Sequence, residues 1–170
     1  NISYPELNNM AKKLLIERTF SSDEKSITIE DLNIFDNNGK IIVDATVSGS
    51  MKGELRLTGD PYYDPSDSTL KIKNLDFDLQ TRNAIAKSAN WLMHHKLAEK
   101  IQDKLNLTIA KKVEEAKQMI CKMLVNKYLG HNVHLTGKLD NLYVNEIFLA
   151  KESIKANLLF KGGINLMMKR

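Results

Sequence analysis

The sequence holds one cysteine, Cys121, so an internal disulfide, a zinc knuckle and a Cys-x-x-Cys redox pair are all excluded. Arginine is nearly as scarce, confined to Arg18, Arg56, Arg82 and Arg170, and aromatic residues make up 6% of the 170 positions. No stretch interleaves aromatics with arginine as a stacking platform would, so nucleic acid is not an expected partner. Three prolines and eight glycines without a biased tract argue against long disorder and against a collagen-like repeat. No apolar run exceeds the four residues Ile147, Phe148, Leu149 and Ala150, far short of the roughly 20 that a spanning helix needs.

What is present suits one domain with a real core: 42% hydrophobic and 27% charged residues over 19.3 kDa. The charge is uneven. Residues 1–81 carry 9 Lys+Arg against 14 Asp+Glu, and residues 82–170 carry 16 against 7. A cationic second half makes an anionic membrane surface a candidate partner, although its lysines alternate with Glu99, Asp103, Glu114 and Glu115 as on a solvated helix face. The chain starts at Asn1 with no apolar signal core, which reads as a processed or truncated piece of something longer.

Pro5 with apolar residues at 7, 10, 11, 14 and 15 predicts an amphipathic helix over 5–16, with Ser3 as its cap. From Ser26 the period becomes two. Ile27 and Ile29 give way to Leu32 and Ile34 with a change of phase, which predicts a bulged strand over 27–36. Asn37-Asn38-Gly39 is a hairpin turn, and strands follow over 40–48 and 51–59. A loop containing Tyr62 and Tyr63 then leads to a strand over 69–80. In that strand Leu70 and Ile72 shift phase into Leu75, Phe77 and Leu79, with Asp76 and Asp78 on the solvent side.

Residues 82–128 predict one long helix. Ile85, Ala89, Leu92, Leu97, Ile101, Leu105, Ile109, Val113, Ala116, Ile120 and Leu124 recur at helical spacing, and neither Gly nor Pro interrupts them. Such a helix would run about 70 Å at roughly 1.5 Å per residue, against a radius of gyration of about 15 Å for a compact chain of this size. A bend near Asn106 is expected, and Gly130 is the expected C′ residue. Strands over 132–149 and 153–168 complete the chain. The last alternates for its whole length, and at about 3.4 Å per residue it approaches 50 Å. The expected fold class is therefore α+β: an elongated, highly twisted antiparallel sheet wrapped around a long α-helix, with a short N-terminal helix, in one domain.

No constellation of reactive groups emerges, so no enzyme, metal or cofactor is expected. His94 and His95 point about 100° apart on a helix, and His131 and His134 face opposite sides of a strand. Cys121 reads as a small residue at the edge of the apolar stripe. Ser48-Gly49-Ser50 is a turn and not a nucleophile elbow, and Gly162-Gly163 lies inside a strand as a kink or point of close approach.

The order of short helix, four-strand meander, long helix and long final strands resembles the TULIP superfamily, the tubular lipid-binding domains that include bactericidal/permeability-increasing protein. The meander over 27–59, the strand Leu70 to Leu79, Asn90-Trp91-Leu92 and Leu135-Thr136-Gly137-Lys138-Leu139 also resemble the C-terminal part of an uncharacterised Bacteroidetes lipoprotein family, a domain of unknown function. The resemblance implies a periplasm-facing location in the cell envelope, a lipoprotein anchor upstream of Asn1, and a lipid or other hydrophobic small molecule held between helix and sheet. Expected lining residues are Leu92, Met93, Leu97, Ile101, Met119, Met123, Leu158 and Phe160. The competing expectation is a structural or partner-docking envelope domain whose core is fully packed and ligand-free. Alternation places Leu158 and Phe160 on the buried face, so Asp at either is expected to destabilise the fold, whereas Lys155 and Lys161 on the other face should tolerate substitution.

Overall fold

Ser3 caps the first helix. Its hydroxyl accepts the Glu6 N–H at 3.4 Å, and Pro5 occupies the first turn, where it has no intrahelical bond to lose. A computed structural model describes residues 1–22, 24–89, 91–94, 96–124, 127–129 and 133–168. The helix α1 (Tyr4–Leu15) follows β1 (Ile2–Ser3) and buries Tyr4, Leu7, Ala11 and Leu15, close to the stripe its spacing predicts.

A six-stranded antiparallel sheet, curled into a half-barrel, comes next. Its first strand, β2 (Thr19–Ser22), has too few residues to announce itself in the sequence and forms by pairing Thr19 with Thr28 of β3 (Lys25–Asn37). In β3 the register shifts between Ile29 and Asp31. This bulge at Glu30 restores the phase, so Ile27, Ile29, Leu32 and Ile34 share one buried face, as the change of period predicts. Asn38 and Gly39 both have positive φ, 51° and 77°, as a two-residue type I′ hairpin requires. They lead into β4 (Lys40–Gly49), which buries Ile41, Val43, Ala45 and Val47.

The next strand is longer than expected. The segment with Tyr62 and Tyr63 is not a loop, because β5 (Gly53–Asp64) continues through it and pairs Pro61, Tyr62 and Tyr63 with Ile72, Lys71 and Leu70 of β6 (Thr69–Phe77). Gly59 makes this possible. The register shifts there, opposite Asn74 at φ 52°, and a Cβ on Gly59 would lie 2.5 Å from Ile72 Cγ2 and 3.0 Å from the Lys73 carbonyl oxygen. The strand stops at Phe77, sooner than expected. Asp78 is the N-cap of α2 (Leu79–Ser88) and accepts the Thr81 N–H at 2.7 Å, so Asp76 and Asp78 do not share a strand face and Leu79 is 73% exposed.

The single helix expected over 82–128 is broken into pieces. α2 is followed by α3 (Trp91–His94), α4 (Leu97–Lys104), β7 (Leu107–Thr108), α5 (Ala110–Leu124) and β8 (Lys127–Leu129). Backbone geometry shows how. Ala89 leaves the helical region at φ −146°, Lys96 is left-handed at φ 52°, and Leu105 closes α4 with ψ 52°. Asn106 turns its amide onto the Asp103 carbonyl at 2.7 Å, and Leu107 and Thr108 then add to the edge of the sheet opposite Leu70 and Thr69. The apolar stripe crosses these breaks in phase because α2, α3 and α4 each turn an apolar side to the core and α5 turns its own towards β9; one stripe does not require one helix. The expected C′ role of Gly130 lies outside the described residues, but the helix already ends at Leu124.

Buried residues form one cluster between the half-barrel and the helices, with α1 packed on β3 and α4 on β6. It is tightly filled: Leu7, Leu15, Ile34, Leu57, Ile85, Leu92 and Ile101 are all at or below 1% exposure. One polar atom is stranded at its margin. The Tyr4 hydroxyl is buried and has no hydrogen-bond partner among the described residues, and burial, helped by Asp36, pushes the phenol up to about 12. An orphaned buried hydroxyl costs about 1 kcal/mol or more. Tyr4→Phe is accordingly expected to raise the thermal midpoint by about 2–4 °C per kcal/mol recovered, and calorimetry showing a lower midpoint would mean the hydroxyl has a partner.

The remaining strands build a second sheet in the order β1-β10-β9-β8, from β9 (Val133–Ala150) and β10 (Ser153–Met168). Both are as long as the alternation predicts. Register shifts fall at two points, and in each the extra residue, Asn145 or Asp140, lies on β9. β10 itself alternates unbroken.

Candidate functional site

The register of the long hairpin decides where its apolar surface lies. Ile154, Ala156, Leu158, Phe160, Gly162, Ile164, Leu166 and Met168 of β10 stand opposite Leu149, Ile147, Val144, Leu142, Leu139, Gly137, Leu135 and Val133 of β9. Directly opposed residues share a face, so one side of the hairpin is apolar along its whole length.

Helix α5 packs against β9 and covers only part of that side. Gly137 admits it: a Cβ there would sit 3.1 Å from Leu124 Cβ and 3.2 Å from Leu124 Cδ2. On the β9 row Val133, Leu135, Leu139, Leu142 and Val144 are half-buried. The β10 row is barely covered, with Phe160 54% exposed, Ile164 61%, Leu166 58% and Met168 82%. No residue of α5 is fully buried, and Met119 and Met123 face solvent.

Near the root of the hairpin this surface closes into an apolar pocket of about 110 Å³, lined mainly by Ile2, Val113, Ala116, Val144, Ala156 and Leu158. Lys112 and Lys155 reach its rim. Lys112 pairs with Glu6 at 3.0 Å, and that carboxylate raises the ammonium pKa above its ordinary value. The arrangement is an apolar groove, deepest at the pocket, open along Phe160, Ile164 and Leu166, with Lys112 beside the pocket.

The residues expected to line a ligand cavity are divided by the structure. Leu158 lines the groove pocket, and Phe160, Met119 and Met123 are exposed on the hairpin and α5. Phe160 is thus not on a buried face, because among the described residues no layer lies over the distal half of β10, and Phe160→Asp is not expected to destabilise the fold. Ile101 is in the packed core. Leu92, Met93 and Leu97 border a different cleft, of about 670 Å³, whose other walls mix apolar Leu75, Phe77 and Ala98 with polar Asn74, Asp76, Arg82, Lys96, Glu99 and Gln102. Its charges are internally satisfied. Arg82 pairs with Asp76, Lys96 with Glu99 at 3.2 Å, and Gln102 Oε1 accepts the Leu75 N–H at 2.9 Å.

Sequence reasoning missed Val113, Ala116, Val144 and Ala156. Their signal was present in the alternation and the helical stripe, but the assumption of one enclosed helix turned attention from the strand rows to the methionines. The side chains of His94 and His95, and the predicted opposition of His131 to His134, lie outside the described residues. Cys121 is free and half-exposed at the helix edge. No helix among the described residues is long and apolar enough to cross a membrane.

Residues 1–168 match the family described as Domain of unknown function (DUF4403). The chain belongs to the DUF4403 family. No curated protein and no solved structure matches this DUF4403 chain, so the groove must be interpreted from its own chemistry.

Proposed function

We propose that this DUF4403 chain is a non-enzymatic binding module for a lipid or other hydrophobic small molecule in the bacterial cell envelope, and that the groove between α5 and the β9–β10 hairpin takes the apolar part of the ligand. The observation that carries this reading is the uncovered β10 row, Phe160, Ile164 and Leu166, running out of a pocket that Leu158 and Ala116 help to line. Contiguous exposed apolar side chains mark surfaces that meet a ligand, a membrane or another protein. Lys112 at the pocket suits an amphiphile with an anionic head, whether a single bound molecule or the surface of an anionic membrane. The resemblance to tubular lipid-binding domains supports the same reading, with one difference: the ligand lies in an open groove and not inside the half-barrel.

That difference also favours a second reading. Leu57, Ile85, Leu92 and Ile101 beneath the half-barrel are at or below 1% exposure, as the core of a structural or partner-docking domain would be. Denaturing organic extraction of the purified protein, followed by lipid mass spectrometry beside native mass spectrometry of the intact sample, separates the two. A stoichiometric co-purifying lipid is the expected result. A bare, stable protein that also ignores added fatty acids and phospholipids would overturn the lipid reading in favour of docking.

A further inference from the structure

Ring closure between an asparagine side chain and the next backbone nitrogen is hindered by any side chain on that next residue, and glycine removes the hindrance. Asn38 is the only asparagine of the sequence followed by glycine. Both residues are exposed at the tip of the β3–β4 hairpin, and nothing lies within 4 Å of a would-be Cβ on Gly39, so its backbone is not crowded. A third group is already in place. Asp36 Oδ1 accepts the Gly39 N–H at 3.2 Å, at the outer end of the roughly 2.6–3.2 Å over which a carboxylate takes a proton from a nucleophile.

We propose that Asn38 is a site of self-modification, at which the Gly39 nitrogen displaces the Asn38 side-chain amide while Asp36 acts as the base that receives the Gly39 proton. The bond from Gly39 N to Asn38 Cγ forms, and the bond from Cγ to Nδ2 breaks. The proton taken by Asp36 passes to the departing nitrogen, which leaves as ammonia, and a five-membered succinimide remains. Water then opens the ring at one carbonyl to give aspartate or at the other to give isoaspartate. The net reaction consumes one water and releases one ammonia, with no change of oxidation state, and neither the groove nor a lipid takes part in it. The hairpin decides what the product does. Asn38 and Gly39 hold φ at 51° and 77° in a two-residue turn whose flanks, Asn37 and Lys40, are directly paired. Isoaspartate lengthens the main chain by one methylene inside that turn, so the Asn37–Lys40 pairing is lost. The new carboxylate also lies two residues from Asp36 and lowers the net charge of +4 by one.

The experiment is incubation of the purified chain in mildly alkaline buffer, sampled over weeks by peptide mapping, with isoaspartate identified by enzymatic isoaspartyl methylation. Asn38 is expected to convert ahead of every other asparagine, with isoaspartate as the larger product. Asp36→Asn keeps an oxygen to accept the Gly39 N–H but not a base, and is expected to slow conversion in the folded chain by about tenfold or more. In urea the turn no longer holds Asp36 on the Gly39 N–H, so parent and variant should convert alike. Asp36→Ser is the companion if the melting curve of Asp36→Asn departs from the parent's. Asn38→Gln, whose ring would be six-membered, should abolish conversion at this position. The proposal is overturned by an Asn38 that keeps its amide while another asparagine loses its own. It is overturned equally by Asp36 variants that convert at the parent's rate when folded, or by a difference between them and the parent that persists in urea.

Discussion

Ile101→Asp is expected to leave no cooperative unfolding transition at 25 °C, whereas Phe160→Asp, nearer the chain end and equally hydrophobic in the parent, should melt within a few degrees of it. Ile101 is 1% exposed on α4 and belongs to the same cluster as Leu7, Leu57 and Ile85. A carboxylate there must be desolvated without a partner or take up a proton, and either costs several kcal/mol, out of a total stability of about 5–15 kcal/mol. Phe160 is 54% exposed on the uncovered β10 row, where a charge remains in water and substitutions usually change stability by about 0.5 kcal/mol or less. Urea denaturation of the two variants checks both halves. A cooperative, parent-like transition for Ile101→Asp would remove α4 from the core, and a collapse of Phe160→Asp would mean that something covers the hairpin.

The same contrast shows what the sequence could reveal. Alternation located the faces of β3 and β4, and the phase changes at Glu30 and Asn74 marked real bulges, because the period of two is a property of the strand itself. The helical stripe of residues 82–128 was equally clear but misled on length. Periodicity reports which side of a helix packs, and α2 and α4 satisfy it against the core while α5 satisfies it against β9. What breaks them is long-range: Leu107 and Thr108 gain backbone partners at the sheet edge from Leu70 and Thr69, and no local propensity announces that trade. Short strands such as β2 and β8 are illegible for the same reason.

For the site, alternation in β10 named the apolar row correctly, yet whether a row is buried depends on what lies over it, and α5 is one helix beside a hairpin two strands wide. Alternation placed Leu158 and Phe160 on one face, but only Leu158 borders the pocket while Phe160 is 54% exposed. Ala116 was not legible, since a small residue in a helical stripe looks like packing whether it faces a neighbour or a ligand. Ala116 and Ala156 are the smallest side chains of the pocket of about 110 Å³, which Val113 and Val144 also line.

Filling that space should therefore separate binding from folding. In Ala116→Leu the new side chain enters the pocket from α5, and both residues are strong helix formers, so the helix is unaffected. Added apolar contact is worth about 0.8 kcal/mol per buried CH₂, so the melting temperature should hold or rise slightly. An acyl chain must now compete with the leucine for the pocket, and occupancy by co-purifying lipid, or affinity for an added fatty acid, is expected to fall by at least about tenfold, since losing contact with two or more methylenes suffices for that factor. Unchanged lipid occupancy in a folded Ala116→Leu variant would show that the ligand does not use the pocket, and would direct attention to the open row of Phe160, Ile164 and Leu166. A loss of occupancy together with an unaltered melting curve would locate the apolar end of the ligand beside Ala116 and Leu158; if its head lies towards Lys112, Lys112→Gln should weaken anionic amphiphiles more than neutral ones.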